Sequence, residues 1–151
     1  MKPVAEEDER STCVSLFSIA GHGGVGKTTL TQLVFDDESL DKCFKSKIWV
    51  CISFPFDAKK VMKDMIEYAA GSKLEVGGLG ALLEALKKLI SCGKFLLVLD
   101  DAWDDDDLFA WGKLFASLRS GQRASKILLT TRKESVADMT SSALGGLISI
   151  Q

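Results

Sequence analysis

Short apolar runs rich in β-branched and aromatic residues alternate along this chain with segments of helical period, the pattern of a parallel sheet built from strand–helix units. Strands are expected at Val14–Ala20, Ile48–Ser53, Phe95–Asp100 and Ile127–Thr131, with a weaker fifth at Leu147–Ile150. The run from Lys94 to Asp100 is apolar at every interior position, as a strand needs when helices cover both faces. It therefore belongs in the middle of the sheet.

Three intervening segments place their apolar residues on one helical side: Val61, Met62, Met65, Ile66 and Ala69; Leu79, Leu82, Leu83, Leu86 and Ile90; Leu108, Trp111, Leu114, Phe115 and Leu118. Such stripes are core packing. Gly71–Gly80 carries four glycines and reads as a flexible connection between two helices. The whole is expected to be a three-layer α/β sandwich, a mostly parallel sheet of four or five strands with helices on both faces.

Composition narrows the partners more than the fold. With 151 residues, 46% hydrophobic and 26% charged, the chain has the size and make-up of one folded domain, residues 13–151, behind a flexible polar leader at 1–12. A net charge of −2 gives no general grip on nucleic acid or anionic lipid. No apolar run approaches the roughly 20 residues of a membrane span, and the acidic start is unlike a secretory signal, so a cytoplasmic location is expected. Cys13, Cys43, Cys51 and Cys92 lack CxxC spacing and are expected to be reduced, structural thiols. A single histidine, His22, makes a histidine-rich metal site an unattractive reading.

The chemistry begins where the first strand ends. Gly21-His-Gly-Gly-Val-Gly26-Lys27-Thr28 fits GxxxxGK[ST], follows the strand Val14–Ala20 and opens a helical stretch at Thr29–Phe35. Glycines let successive backbone N–H groups turn inward on a β-phosphate, and the positive end of the new helix adds to the attraction. Gly23, Gly24, Val25 and Gly26 would form the cradle. Lys27 would reach the β- and γ-phosphate oxygens, Thr28 would ligate Mg²⁺, and Thr29 would bond an α-phosphate oxygen. His22 occupies a variable position and reads as a spectator.

A phosphate-bound Mg²⁺ needs a carboxylate from a neighbouring strand end, which Asp100 supplies through a water, since Mg²⁺ dehydrates reluctantly. Asp101 is then available to orient an attacking water or take its proton. Asp104–Asp107 lacks the glycine and distal glutamate of a calcium loop and reads as a capped, solvated helix start. The strand Ile127–Thr131 ends in two hydroxyls and a guanidinium, placing Arg132 to sense a γ-phosphate at the carboxyl edge of the sheet.

Four blocks stand in order: GHGGVGKTTLTQLVFDD at Gly21–Asp37, FKSKIWVCISFPFD at Phe44–Asp57, KFLLVLDDAWDD at Lys94–Asp105 and SKILLTTRKESVA at Ser125–Ala137. Together the chain resembles the nucleotide-binding part of the NB-ARC domain of plant disease-resistance (NLR) proteins, from about Val14 to at least Ala137. The resemblance implies a STAND-class P-loop NTPase, ADP-bound at rest and ATP-bound when it assembles and signals in innate immunity, with slow Mg²⁺-dependent hydrolysis in full-length members. It also implies that Lys27, Thr28, Asp100, Asp101 and Arg132 hold the family's P-loop, kinase-2 and sensor positions, and that Trp103 matches the tryptophan after the paired aspartates. Similarity to additional-strand NTPases places the Ile127–Thr131 strand between the phosphate-loop strand and Phe95–Asp100.

The sequence departs from the family at His22, where Met or Ile is usual, and at Ala102, where Val is common. Nothing in it resembles the Gly-Leu-Pro-Leu helix region, the winged-helix Met-His-Asp motif, a coiled-coil or TIR domain, or leucine-rich repeats, so it reads as a truncated member. The expected partners are an adenine nucleotide, ATP or ADP with Mg²⁺, and other proteins through NLR self-association or contact with immune proteins. The alternative is a non-enzymatic interaction protein that modulates full-length immune receptors. A GTPase is disfavoured by the lack of an NKxD-like guanine reader, and a small-molecule kinase by the lack of an arginine-rich lid.

Overall fold

The computed structural model describes residues 14–21, 26–52, 55–73, 78–103, 108–122, 124–138 and 147–149. Five strands form one all-parallel sheet: β1 (Val14–Ala20), β2 (Ser46–Cys51), β3 (Phe95–Ala102), β4 (Ser125–Thr131) and β5 (Leu147–Ser149). Their order is β2-β3-β4-β1-β5, so β4 lies between β3 and β1 as expected, and β3 is an interior strand. The chain climbs from β1 across to β2 in one direction and returns through β3 to β4 in the other. Right-handed crossovers then put the two sets of helices on opposite faces.

On one face pack α3 (Ala58–Ala70), α4 (Leu79–Ser91) and α5 (Leu108–Leu118). Val61, Met65, Leu82, Leu86, Ile90, Trp111, Leu114 and Leu118 meet Leu16, Ile48, Leu97, Leu99, Ile127 and Leu129 of the sheet in one continuous core. Trp111 lies flat on Phe56, ring centroids 3.9 Å apart, which seals the end of this layer. The opposite face carries α1 (Lys27–Phe35) and the short α2 (Glu38–Asp41), with Phe35 wedged among Leu96, Val98 and Trp49. Its ring meets Trp49 edge-on at 5.3 Å.

The helix ends follow from local chemistry. Asp57 caps α3 by accepting the Lys59 and Lys60 amides, and Gly71 ends it in a left-handed turn at φ 75°, a conformation glycine adopts without strain. Gly121 has a different reason to be small: a Cβ there would stand 2.6 Å from the Phe95 ring.

Several expectations need correction. β2 begins at Ser46, two residues earlier than read, and Lys47 within it sets its ammonium 5.1 Å from the centroid of the Phe35 ring and 2.7 Å from the Asp41 carboxylate. Ser53 and Ile150 lie outside the described residues. α1 starts at Lys27, not Thr29, and β3 runs on through both aspartates to Ala102. Ala69 is exposed, and Leu79 and Leu83 are 42% and 37% exposed, flanking an apolar groove of about 370 Å³ with Met62 and Ala116 in place of joining the core. Cys43, Cys51 and Cys92 are free but exposed, since they fall after α2, at the end of β2 and at the end of α4, where the chain turns into solvent. The stretches 1–12 and 104–107, read as a leader and a helix start, and Cys13 and His22 lie outside the described residues.

Candidate functional site

All the candidate residues that can be described gather at the carboxyl edge of the sheet. A cavity of about 310 Å³ is lined by Gly26, Lys27, Thr28, Thr29, Asp100, Asp101, Thr130 and Arg132. Gly23, Gly24 and Val25 lie outside the described residues.

Gly26 is the hinge between loop and helix. It sits at φ 81°, a left-handed backbone that favours glycine, and its carbonyl accepts the first helical bond, from Leu30 at 2.8 Å. Among the described residues no side chain makes a capping hydrogen bond to the start of α1, where the first-turn amides have no acceptor within the helix. Those amides and the helix dipole make this end attractive to an anion. Lys27 lies on the first turn, 8% exposed, and its ammonium donates to the Gly21 carbonyl at 2.7 Å. The lysine thereby spans the loop from its last residue to its first. Gly21 is anchored in turn by its amide, which donates to the Thr131 carbonyl at 3.2 Å.

The acidic strand end meets this loop directly. Thr28 donates to Asp100 Oδ1 at 3.3 Å, joining residues 72 positions apart in sequence, and Thr130 donates to the same oxygen at 2.6 Å. Asp100 is only 7% exposed, yet none of the buried side-chain polar atoms among the described residues lacks a partner. Asp101 takes φ 62°, and its amide donates to Thr130 Oγ1 at 2.8 Å. Thr131 Oγ1 donates to the Ala102 carbonyl at 2.5 Å and accepts the Lys133 amide at 3.1 Å. Arg132 rests on Trp103, its guanidinium carbon 4.9 Å from the ring centroid.

The donor set suits a hard cation such as Mg²⁺. A hydroxyl and a carboxylate stand together, and among the described residues no group of three or more His, Cys, Asp or Glu could hold a metal without outside ligands. Mg²⁺ bound through one or two protein oxygens, completed by waters and phosphate, matches that count.

Sequence reasoning brought Lys27, Thr28, Thr29, Asp100, Asp101 and Arg132 to one place, and the structure places them there. It passed over Thr130, whose hydroxyl serves both aspartates, and gave Trp103 no contact with Arg132. The signal was present in the two hydroxyls that precede Arg132, but only the strand pairing reveals which carboxylates they face.

The family model for the NB-ARC domain matches residues 2–145. Disease resistance protein RGA2 of Solanum bulbocastanum is 41% identical over 128 residues, covering 83% of this chain and 13% of that protein. RGA4 of the same species is 44% identical over 136 residues, with 90% and 13% covered, and disease resistance RPP13-like protein 4 of Arabidopsis thaliana is 34% identical over 122, with 81% and 14% covered. The chain thus spans about an eighth of the length of these relatives. Among solved structures, Cdc6p from Pyrobaculum aerophilum superposes with a TM-score of 0.65 at 16% identity, over 91% of this chain and 39% of that one. A chain of Drosophila ORC bound to DNA gives 0.58 at 12% identity, over 99% and 40%. At such identities the likeness is one of fold.

Proposed function

The chain belongs to the NB-ARC domain family, and from that membership we propose that residues 13–151 form the adenine-nucleotide-binding switch module of a plant disease resistance protein. The observation that carries this reading is the convergence of Lys27, Thr28, Asp100, Asp101 and Arg132 on one cavity beside an uncapped helix start.

In this reading Gly23, Gly24, Val25 and Gly26 cradle the β-phosphate, with the amides of the first turn of α1 behind them. Lys27 exchanges its bond to the Gly21 carbonyl for the β- and γ-phosphate oxygens, and Thr29 bonds an α-phosphate oxygen. Thr28 and Asp100 would hold Mg²⁺, which would supply positive charge against the phosphates. Asp101 orients a water for in-line attack on the γ-phosphorus and takes its proton as ADP leaves, while Arg132 detects whether a γ-phosphate is present. Hydrolysis resets the switch slowly, in the cytoplasm, and the ATP state engages other proteins, a second copy or immune partners among them.

A second reading, a non-enzymatic interaction protein, is favoured by Leu30, Leu33 and Val34, which stand exposed on α1 immediately after the phosphate-binding residues. Thermal melting with ADP, ATP, GDP and GTP, each with Mg²⁺, separates the two. Ligand at about 100 times its Kd adds about 2.7 kcal/mol to stability. For a chain of this size that raises Tm by roughly 5–10 °C. The proposal expects that rise with adenine nucleotides alone; equal rises with guanine nucleotides, or none with any, would contradict it.

A further inference from the structure

Along a regular strand, successive side chains point to opposite faces, so Asp100 and Asp101 should not share a cavity. They do share one. The cause lies in the pairing of β3 with β4: Leu99 faces Leu129 and Ala102 faces Thr131, leaving Asp100 and Asp101 together opposite Thr130 alone. That two-against-one count is a β-bulge, and Asp101 carries its positive φ of 62°.

One buried hydroxyl holds both halves of the bulge. Thr130, 1% exposed, donates its proton to Asp100 Oδ1 at 2.6 Å and accepts the Asp101 amide at 2.8 Å. With Thr28 also donating to Oδ1, at 3.3 Å, two hydroxyls occupy that oxygen, and Oδ2 is the carboxylate oxygen left for the water of a bound metal.

We propose that Thr130 is a positioning residue for the phosphate site: its single hydroxyl fixes Asp100 for Mg²⁺ and holds the bulge that brings Asp101 into the same cavity. This rests on the nucleotide-binding reading above. It is distinct from a role in packing, because the β-branched shape of Thr130 can be kept while its hydroxyl is removed.

The test uses the 151-residue chain and its Thr130→Val and Thr130→Ser variants, with fluorescent ADP bound first in EDTA and then across a Mg²⁺ titration. In EDTA the three should bind ADP alike, since the loop and Lys27 are untouched. Thr130→Val should need about tenfold more Mg²⁺ for half-maximal effect, the scale of one lost hydrogen bond to a charged group, and Thr130→Ser should stay within about twofold of the parent. Superimposable Mg²⁺ curves for Thr130→Val and the parent would overturn the role of Thr130 while leaving nucleotide binding standing. Thr130→Val binding weakened equally in EDTA and in Mg²⁺ would also overturn it, by exposing a structural role. If Thr130→Val does not fold, Thr130→Ala is read by the same criteria. A folded parent that binds no ADP in either condition overturns the nucleotide reading and this inference with it.

Discussion

The guanidinium of Arg132, which lines the cavity at the carboxyl edge of the sheet, stacks on the indole of Trp103, 4.9 Å from guanidinium carbon to ring centroid. Arg132 is exposed and Trp103 half-buried, so the stack is a resting place that an anion can compete for. If Arg132 turns to a γ-phosphate, the indole loses its cation. Saturating ATP with Mg²⁺ should therefore change tryptophan emission in a way that ADP does not, and Arg132→Ala should abolish the difference. Trp111 is buried in the core and Trp49 packs against Phe35 on the far face, so both contribute a constant background. Identical emission with ATP and ADP would disconnect the stack from γ-phosphate sensing.

Stability and binding should separate at Trp111. It is 1% exposed, lies flat on Phe56 and touches Phe115, centroid to centroid 5.6 Å, without lining the cavity that Lys27 and Asp100 share. Trp111→Ala should cost about 3–5 kcal/mol in urea unfolding. Set against a typical total of about 5–15 kcal/mol, that is severe. The fraction that stays folded should bind nucleotide with the parent's affinity; a cost under about 1 kcal/mol would mean the Phe56–Trp111 stack is not part of the core.

Asp37 gives a prediction in pH. The Ser39 amide, then the Ser39 hydroxyl, hold the Asp37 carboxyl below its ordinary range, with a smaller contribution from Lys47. A depressed folded value means the contribution to stability is present above the unfolded value, about 3.9, and is lost as pH falls through the folded one. An NMR titration of the Asp37 side chain should give a midpoint below that reference, moving up toward it in Ser39→Ala, whose amide still donates. A midpoint at or above the reference would contradict the cap on α2.

What could be read from sequence was whatever a local period or a short motif encodes. The all-apolar interior of β3 marked an inner strand, and the loop from Gly21 to Thr28 announced itself by spacing. The neighbours of β4 came from family resemblance, because order in a parallel sheet depends on contacts distant in sequence. Side-chain details escaped for the same reason. Lys47 fell outside the strand read from sequence, because its partner Phe35, whose ring lies 5.1 Å from the ammonium and whose carbonyl accepts from it, sits 12 residues earlier. Leu79 and Leu83 satisfy the helical period yet face a groove, since periodicity marks a stripe without saying whether anything covers it. The bulge at Asp100 and Asp101 is invisible along one strand and exists only against the register of β4.

Lys27 closes the loop between β1 and α1 by donating to the Gly21 carbonyl at 2.7 Å, and under the proposed function it donates to phosphate once nucleotide is bound. The direct measurement is equilibrium binding of labelled ADP with Mg²⁺ to the chain and to Lys27→Ala, with circular dichroism confirming that both are folded. One saturable site in the parent, weakened about a hundredfold or more in Lys27→Ala, is the expected result, the scale of two charge-assisted bonds. Equal binding by both, or no binding by a folded parent, would contradict the account.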